Sequence, residues 1–335
     1  MANSFLELLQ IRPYLVADGA MGTNLFSQGL MSGEAPELWN VDHPERVARV
    51  HRGFVEAGSD IVLTNSFGGT RQRLKLHNAQ DRVIELNRAA ARIARGVADA
   101  AGRKVIVGGS IGPTGELFQP LGALSHADAV AAFAEQAQGL AEGGVDVLWI
   151  ETMSAREEVA AAAEAAAATG LPIVTTMSFD TNARTMMGVT PADFARFTHT
   201  LGTRPAAFGA NCGVGPGELL DSVLLMAGAA AADDVIIAKG NCGVPQYMDG
   251  AIHYSGSPEQ MATYARLALD AGARIIGGCC GSSYEHLAAI AGALKAHRKG
   301  EGPAIAEVER AFGPVWPTMK ASSERGEPRR RSSRR

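Results

Sequence analysis

Eight short apolar runs, alternating with longer amphipathic segments, are the feature that most constrains the fold of this 335-residue chain. Each run has the length of a strand and the continuous hydrophobicity of a parallel strand covered on both faces. The runs are 15-LVAD-18, 61-IVLTNSF-67, 105-VIVGGSIG-112, 145-VDVLWIET-152, 172-PIVTTMSF-179, 206-AAFGANC-212, 235-VIIAKGNC-242 and 274-RIIGGCC-280. Eight strand–helix units predict a single-domain α/β fold, the (β/α)8 TIM barrel, which needs about 250 residues.

The segments between the runs have helical periodicity, most clearly at 44–58, 80–102 and 154–170, with a last helix predicted at 282–300. Several begin with Ser, Thr or Pro and end at Gly, which is the chemistry of helix caps. The segment 19–43 is long for a strand–helix loop, and we expect it to fold over the barrel mouth. An open doubly wound sheet is the alternative, but no Gly-rich dinucleotide fingerprint follows the first run.

The barrel domain is predicted to occupy residues 1–317, followed by a disordered basic tail at 318–335. The tail, TMKASSERGEPRRRSSRR, is rich in Ser and Arg and nearly free of large apolar residues. Such a segment cannot bury enough surface to offset the entropy of ordering it. Contact between a basic tail and nucleic acid is the alternative interpretation.

Charge and composition exclude several classes of partner. The net charge of −4 and pI near 6.1 give no reason to expect nucleic acid or an anionic membrane as partner. The N-terminus lacks the pattern of a secretory signal, and no segment approaches the roughly 20 apolar residues of a membrane span. Four cysteines, two of them adjacent, do not form a disulfide framework in a chain this long. We therefore expect a cytoplasmic protein whose cysteines bind metal or do chemistry.

Active sites of such barrels lie at the carboxyl ends of the strands, and the predicted ends converge on one mouth. They are Asp18, Asn65, Gly112, Glu151, Ser178, Cys212, Asn241 and Cys279–Cys280. Three thiolates suit a tetrahedral Zn²⁺ that keeps one position open for substrate, so Cys212, Cys279 and Cys280 are predicted zinc ligands. Adjacent strand residues face opposite sides, so the pair can share a metal only where the backbone bends, as flanking glycines allow. Small cysteines packed inside the barrel are the alternative.

Other residues at the mouth are candidates for the substrate. Cys242 is either a fourth zinc ligand, which would close the site, or a packing residue, and the second reading is favoured because it leaves room for substrate. The carboxylates of Asp18 and Glu151 suit an ammonium group, and backbone N–H groups of the loop at Gly19 suit a carboxylate, which together describe an amino-acid site. The alternative is that Asp18 caps a turn and that Glu151 forms an ion pair at the surface. Trp39 either faces a cationic methyl donor or packs as the anchor of a lid.

Seven motifs occur in order over nearly the whole barrel. They are DGAMGT (18–23), TNSF (64–67), SIGPTGE (110–116), IET (150–152), GANCG (209–213), KGNCGVP (239–245) and GGCCG (277–281). This pattern resembles the homocysteine S-methyltransferase family, and within it the bacterial betaine–homocysteine methyltransferases. The pair GANCG and GGCCG is the most specific part of the resemblance.

The resemblance implies that Cys212, Cys279 and Cys280 hold Zn²⁺, that Asp18 and Glu151 bind the homocysteine amino group, and that Gly19 donates to the carboxylate. It implies transfer of a methyl group from a small donor to the homocysteine sulfur, which gives methionine. Metal coordination deprotonates a thiol, and three cysteine thiolates leave the site negative, so the substrate sulfur stays nucleophilic. Asn65 and Asn241, at two further strand ends, are added to the substrate-binding candidates.

Betaine is the favoured donor, with S-methylmethionine or dimethylsulfoniopropionate next and a methylated corrinoid protein third. The sequence departs from the animal betaine enzymes at Gly68 and Thr152, where those enzymes carry aromatic residues that would cage a quaternary ammonium. Two other functions compete: a barrel enzyme whose cysteines act as nucleophile or redox pair, and a homocysteine-holding subunit that serves a methyl-carrier protein. For the oligomeric state, a homo-oligomer is one of the possibilities that the sequence leaves open.

Overall fold

Eight parallel strands form the barrel that the eight apolar runs predict. The computed structural model describes residues 4–248 and 251–316. The strands are β1 (Leu15–Val16), β2 (Ile61–Leu63), β3 (Ile106–Ile111), β4 (Val147–Met153), β5 (Ile173–Met177), β6 (Ala207–Cys212), β7 (Ile236–Gly240), β8 (Pro245–Met248), β9 (Ala251–Tyr254) and β10 (Ala273–Gly278). The barrel order is β1-β10-β7-β6-β5-β4-β3-β2, and β8 pairs with β9 as a separate antiparallel hairpin. A parallel bridge between Ala17 and Ile61 closes the circle between β1 and β2.

Most of the helices lie between successive strands on the outside of the barrel. They are α1 (Ser4–Ile11), α2 (Met21–Ser27), α3 (Trp39–Asp42), α4 (Pro44–Glu56), α5 (Arg71–Lys75), α6 (Val83–Asp99), α7 (His126–Glu142), α8 (Arg156–Ala167), α9 (Pro191–Thr198), α10 (Pro216–Ala227), α11 (Pro258–Asp270), α12 (Tyr284–Ala296) and α13 (Ile305–Phe312), with short 3-10 helices at Pro36–Leu38 and Gln80–Arg82. Capping fixes several starts: the side chain of Ser125 accepts from the N–H of Asp128, and Ser257 forms a capping box with Gln260.

The helix predicted at 282–300 corresponds to α12, but α13 follows it, so the expectation that this helix is the last one is wrong. Helix α13 is only eight residues long and is held by its one buried side chain, Val308. The predicted tail at 318–335 and the boundary at 317 lie outside the described residues. Within the described ranges, no helix combines the length and the apolar content needed to cross a membrane.

Alternate strand residues fill the inside of the barrel with one apolar cluster, and α1 adds Phe5 and Leu9 to it. Trp149 of β4 is its largest member and is fully buried. Since β1 begins shortly after α1, the helix covers the amino-terminal end of the strands. A second, larger cluster packs the outer strand faces against the helices. The opposite, carboxyl-terminal end is left for the site.

The inward alternation continues to the carboxyl ends of the strands, where the side chains become polar. Ser110 follows the inward Ile106 by four residues, Glu151 follows Trp149 by two, Asn211 follows Ala207 by four and Lys239 follows Ile237 by two. A strand repeat of two places each of them on the same face as its apolar predecessor. All four are at most 8% exposed. The barrel therefore presents a buried polar layer above its apolar core.

Candidate metal and substrate site

A cavity of about 530 Å³ opens at the carboxyl ends of the strands, and Cys212, Cys279 and Cys280 all line it. This volume is typical of a small-molecule site. The segment between β1 and α4 forms one wall, through residues from Gly19 to Glu37. The expectation that the loop 19–43 covers the barrel mouth is met by this segment.

The three cysteines are grouped tightly enough to hold one metal ion. Their sulfur atoms all lie within 4.8 Å of one another, and Sγ of Cys212 is 3.7 Å from Sγ of Cys280. Tetrahedral ligands at the Zn–S distance of about 2.3 Å stand about 3.8 Å apart, which agrees with the Cys212–Cys280 separation. In the part of the chain that the structure describes, this is the one cluster of His, Cys, Asp or Glu side chains with such geometry.

Unusual backbone angles bring the thiols to the same point. Strand β10 ends at Gly278, so Cys279 and Cys280 lie in a turn rather than in the strand. Gly281 completes the turn with φ of +79°, and a Cβ there would lie 2.3 Å from the ring of Tyr254, so only glycine fits. Cys212 itself has φ of +63°, which turns a residue of outward parity back toward the mouth. A positive φ at a non-glycine residue stores strain that commonly marks functional sites.

The charge of the cluster favours a cation among the sulfurs. Hydrogen bonds from Cys212 and Cys279 lower the pKa of Cys280 to about 3. The same contacts, first with Cys279 and then with Cys280, raise the pKa of Cys212. For Cys279 the hydrogen bond from Cys212 lowers the pKa, but Cys280 and burial outweigh it and raise the pKa to about 12. One thiolate therefore forms readily, whereas three at this spacing need a positive charge between them.

Two buried asparagines fix the segments that carry the cysteines. Oδ1 of Asn211 accepts from the N–H of Thr152 at 2.9 Å, and its Nδ2 lies 3.8 Å from Sγ of Cys279. Nδ2 of Asn241 donates to the carbonyl of Gly213 at 2.8 Å, and its Oδ1 accepts from the N–H of Cys280 at 3.1 Å. Asn241 thus joins the loop after β6 to the loop after β10. It was predicted to bind substrate, but its amide is occupied and it is not one of the cavity-lining residues.

Asp18 is held by a buried lysine. Its Oδ1 lies 2.6 Å from Nζ of Lys239, and its Oδ2 accepts from the N–H of Leu63 at 2.7 Å. Burial raises the pKa of Asp18 against the opposing effect of Lys239. Burial alone would lower the pKa of Lys239, but Asp18 and Glu151 outweigh it and raise that pKa. The pair is therefore an ion pair whose carboxylate has little capacity left for a second cation.

Glu151 is the freer of the two predicted carboxylates. Its Oε1 accepts from Oγ of Ser110 at 2.5 Å, and no hydrogen bond from a described residue reaches its Oε2. Burial raises the pKa of Glu151 to about 7, although Lys239 lowers it. Glu151 and Asp18 both line the cavity that contains the cysteines. The site thus has a metal-competent sulfur cluster and, beside it, a carboxylate with one oxygen available.

Comparison with known proteins agrees with this geometry. A sequence profile described as homocysteine S-methyltransferase matches residues 15–294, which include every strand of the barrel and all three clustered cysteines. The chain belongs to this family. The resemblance of the seven motifs to the homocysteine S-methyltransferase family is therefore confirmed.

Two curated relatives of this homocysteine S-methyltransferase family member are methionine synthases. The chain is 29% identical over 308 residues to the methionine synthase of Mycobacterium tuberculosis. The matched region covers 87% of this chain and 25% of that protein. The chain is 28% identical over 317 residues to the methionine synthase of Mycobacterium leprae, and this match covers 90% of this chain and 26% of that protein. The chain spans about a quarter of the length of these relatives.

Solved structures show the same fold. The metallated form of the homocysteine methyltransferase MmuM from Escherichia coli superposes with a TM-score of 0.71 at 23% identity, covering 85% of this chain and 98% of that one. The oxidized form of the same enzyme superposes with a TM-score of 0.69 at 24% identity, covering 84% of this chain and 97% of that one. These similarities confirm the (β/α)8 barrel.

Of the two interpretations of Trp39, the structure supports the anchor of a lid and not the residue that faces a methyl donor. Its side chain is 6% exposed and belongs to the main core cluster. The ring lies edge-on to His43 at 4.8 Å between centroids, and the guanidinium carbon of Arg46 is 5.0 Å from the indole. The cation over this indole is thus an arginine of the chain, and Trp39 anchors the segment that walls the cavity.

Of the remaining candidates, some line the cavity and others form hydrogen bonds that hold the surrounding segments in place. Gly19 lines the cavity, and no described residue accepts from its N–H. Asn65 also lines it, but its Nδ2 donates to the carbonyl of Pro36 at 2.7 Å and so holds the wall segment. The thiol of Cys242 donates to the carbonyl of Gly256 at 3.1 Å and lies outside the three-cysteine cluster.

Lys239 and Asn211 are functional candidates that sequence reasoning missed. Lys239 is a charged residue inside the apolar run 235–242, which was a usable signal, because a strand buried on both faces admits a lysine only with a partner. Asn211 stands in GANC beside a predicted ligand, but nothing in the sequence shows that its amide reaches strand β4. Ser110 was similarly hidden within SIGPTGE.

Proposed function

We propose that the protein is a zinc-dependent homocysteine S-methyltransferase that moves a methyl group from a small onium donor, betaine first, to homocysteine and gives methionine. The observation that carries the proposal is the grouping of Cys212, Cys279 and Cys280 within 4.8 Å at the wall of a cavity. Three sulfur ligands with an adjoining open space match a catalytic zinc site. Bound zinc would deprotonate a substrate thiol, whose proton passes to solvent, at a pH where a free thiol is mostly protonated.

The chain's own residues would orient the amino-acid part of homocysteine. The free Oε2 of Glu151 can accept from the substrate ammonium, and the buried carboxylate would gain a cation that offsets its desolvation. Asp18 lies nearby, but its pairing with Lys239 makes it the weaker contact. The unpaired N–H of Gly19 suits the substrate carboxylate. A Cβ at position 19 would lie 2.7 Å from the Phe54 ring, so glycine lets the backbone reach the cavity.

Methyl transfer then requires alignment more than acid–base chemistry. The homocysteine sulfur forms a bond to the methyl carbon of the donor while the bond from that carbon to the onium nitrogen or sulfur breaks. The bonding pair stays with the leaving atom, which departs as a neutral amine or sulfide and needs no proton. Holding both reactants in line within one cavity supplies much of the acceleration.

A second candidate function is a homocysteine-binding subunit that receives its methyl group from a separate methyl-corrinoid protein. The observation that favours it is the similarity to methionine synthases, of which the chain matches about a quarter. S-methylmethionine and dimethylsulfoniopropionate are the other small donors, and they share the onium chemistry of betaine.

An assay of methionine formation tests the proposal. Purified protein reconstituted with Zn²⁺ receives homocysteine and, in separate reactions, betaine, S-methylmethionine, dimethylsulfoniopropionate or a methylated corrinoid protein. We expect methionine from a small onium donor, no methionine with Cys280→Ala, and retained activity with Cys242→Ser, whose side chain lies outside the cluster. Methionine from the corrinoid protein alone would favour the second candidate, and turnover by Cys280→Ala would refute the zinc assignment.

A further inference from the structure

Besides the cysteines, Glu151 and the exposed Glu34, the cavity is lined by two side chains of opposite charge that form no ion pair among the described residues. Glu37 and Arg73 both line it. No ion pair within 4.0 Å among the described residues includes either of them, although the charge of Arg73 acts to lower the pKa of Glu37. Lys239, the other basic side chain of a Lys or Arg in the lining, is by contrast already paired with Asp18. Opposite charges that share a cavity but do not pair are available for a ligand that carries both signs.

Glu37 presents one carboxylate oxygen to its surroundings. The side chain is 6% exposed, and its Oε1 accepts from the N–H of Gly68 at 2.6 Å. Apart from the N–H of Glu37 itself, which also acts on the carboxylate, no other described residue donates a hydrogen bond to Oε2. A Cβ at position 68 would lie 2.9 Å from Oε1, so glycine there makes the room that the carboxylate occupies. Burial raises the pKa of Glu37, opposed by the hydrogen bonds and by Arg73 and His77, so a bound cation would offset the desolvation.

Arg73 lies farther out than Glu37. It is partly exposed, and a Cβ built at Gly115 would lie 3.2 Å from its Nη1, which places the guanidinium against the loop after β3. No described residue accepts a hydrogen bond from it. Guanidinium groups bind carboxylates in a two-bond fork, and a free one in a cavity suits that purpose. His77, one helical turn further along the chain, lines the same cavity.

Two phenylalanines also line the cavity. Phe26 and Phe67 line it and are 52% and 38% exposed, respectively. Exposed phenyl rings in the same cavity as a carboxylate are suited to methylated onium groups, which are cationic but cannot donate a strong hydrogen bond. The sequence lacks an aromatic residue at position 68, and Glu37 occupies the space that Gly68 leaves.

We propose that Glu37 and Arg73 form the donor subsite and select a zwitterion, with the onium group at Glu37 and the donor carboxylate at Arg73. This inference rests on the proposed function, since it assigns the second substrate of that reaction. Glu37 is the more buried of the two, so the onium end of the donor lies deeper than its carboxylate, in the cavity that the cysteines also line. Betaine, S-methylmethionine and dimethylsulfoniopropionate all have this pair of groups, whereas tetramethylammonium and trimethylsulfonium lack the carboxylate.

The test uses Glu37→Gln and Arg73→Gln in the zinc-loaded full chain. Glutamine at 37 keeps an oxygen for the N–H of Gly68 and removes only the charge, which separates donor recognition from anchoring of the loop. Arg71→Gln is the matched control, because Arg71 lies on the same helix but pairs with Glu135 and Asp81 at the surface. Loss of a charge-assisted contact should raise the KM for the donor about tenfold or more in either test variant. The KM for homocysteine should stay within about twofold, since Glu151 still binds it.

Substrate comparison gives a second readout. Wild-type protein and Arg71→Gln should prefer betaine to tetramethylammonium, and dimethylsulfoniopropionate to trimethylsulfonium, while Arg73→Gln should lose both preferences. Unchanged donor KM in both test variants overturns the subsite, and so does methionine made from a methylated corrinoid protein alone. If no donor gives methionine, the proposed function fails separately, and calorimetry with betaine decides the subsite. Saturable binding that Arg73→Gln weakens at least about tenfold supports it, and equal or absent binding in wild type and variant overturns it.

Discussion

Lys239 and Asp18 form an ion pair inside the barrel mouth, with Nζ 2.6 Å from Oδ1 and each side chain 2% exposed. Removing one member leaves an uncompensated buried charge, which typically costs about 3–5 kcal/mol. We expect Lys239→Met to lower the free energy of unfolding of the metal-free protein by about that amount. The double variant Lys239→Met/Asp18→Asn should recover most of the loss. Urea denaturation checks both, and a single variant as stable as wild type would mean that the pair is not buried as described.

Glu151→Gln should weaken homocysteine binding while leaving the metal site intact. The amide keeps the volume and an oxygen for Ser110 but loses the charge that faces the substrate ammonium. We expect the KM for homocysteine to rise about tenfold or more, as for loss of a charge-assisted contact, with zinc affinity nearly unchanged. Glu158→Gln is the control, because this buried carboxylate is bound to Thr114 outside the cavity. An unchanged KM in Glu151→Gln would remove Glu151 from the substrate site.

Asn211→Ala should weaken zinc binding although Asn211 is not a ligand. The substitution leaves the N–H of Thr152 without an acceptor and removes the amide beside Cys279. Loss of such outer contacts typically costs about 10–100-fold in metal affinity. Thr176→Val, which removes only the hydroxyl that donates to Asn211, should have a much smaller effect. Competition with a chromophoric chelator measures both affinities, and equal affinities for Asn211→Ala and wild type would contradict this role.

His51 should make the protein less stable in mild acid. It is fully buried on α4, neither ring nitrogen has a partner among the described residues, and burial lowers its pKa to about 4 from 6.5. Between pH 6.5 and 4 the unfolded chain therefore binds more protons than the folded one, so stability falls as pH decreases and levels off below about 4. The shift corresponds to about 3 kcal/mol.

His51→Leu should remove this pH dependence, and the exposed His126→Leu should not. Chemical denaturation at pH 7.5, 6 and 5 measures the effect. Parallel curves for wild type and His51→Leu would show that the imidazole gains a partner in solution.

The barrel and its sulfur cluster were predictable because both follow from local pattern. Continuous apolar runs specify buried parallel strands, and parallel strands bring their carboxyl ends together, so the sequence predicts that Cys212 and Cys280 lie at the same mouth of the barrel. The positive φ of Cys212 was not predictable, because strand parity points that side chain outward and only tertiary structure reverses it. By contrast, the glycines that flank Cys279 and Cys280 made a bend of the backbone at that point predictable from the sequence.

The rest of the site depends on contacts between distant segments. Asp18 pairs with Lys239, which lies 221 residues further along the chain, and single motifs cannot show such a pairing. Trp39 was ambiguous for the same reason: the sequence shows an indole in a long segment but not the core that receives it. Glu37 reaches Gly68 only because the wall segment folds back onto the end of β2.

The central claim is that three cysteines hold one zinc ion with a position left for the substrate sulfur. X-ray absorption at the zinc edge, measured on the zinc-loaded protein before and after homocysteine is added, tests it most directly. We expect one zinc per chain with three sulfur neighbours at about 2.3 Å, a fourth sulfur after homocysteine, and loss of the metal in Cys280→Ala. Four sulfurs before homocysteine is added, or no additional sulfur afterwards, would contradict the account.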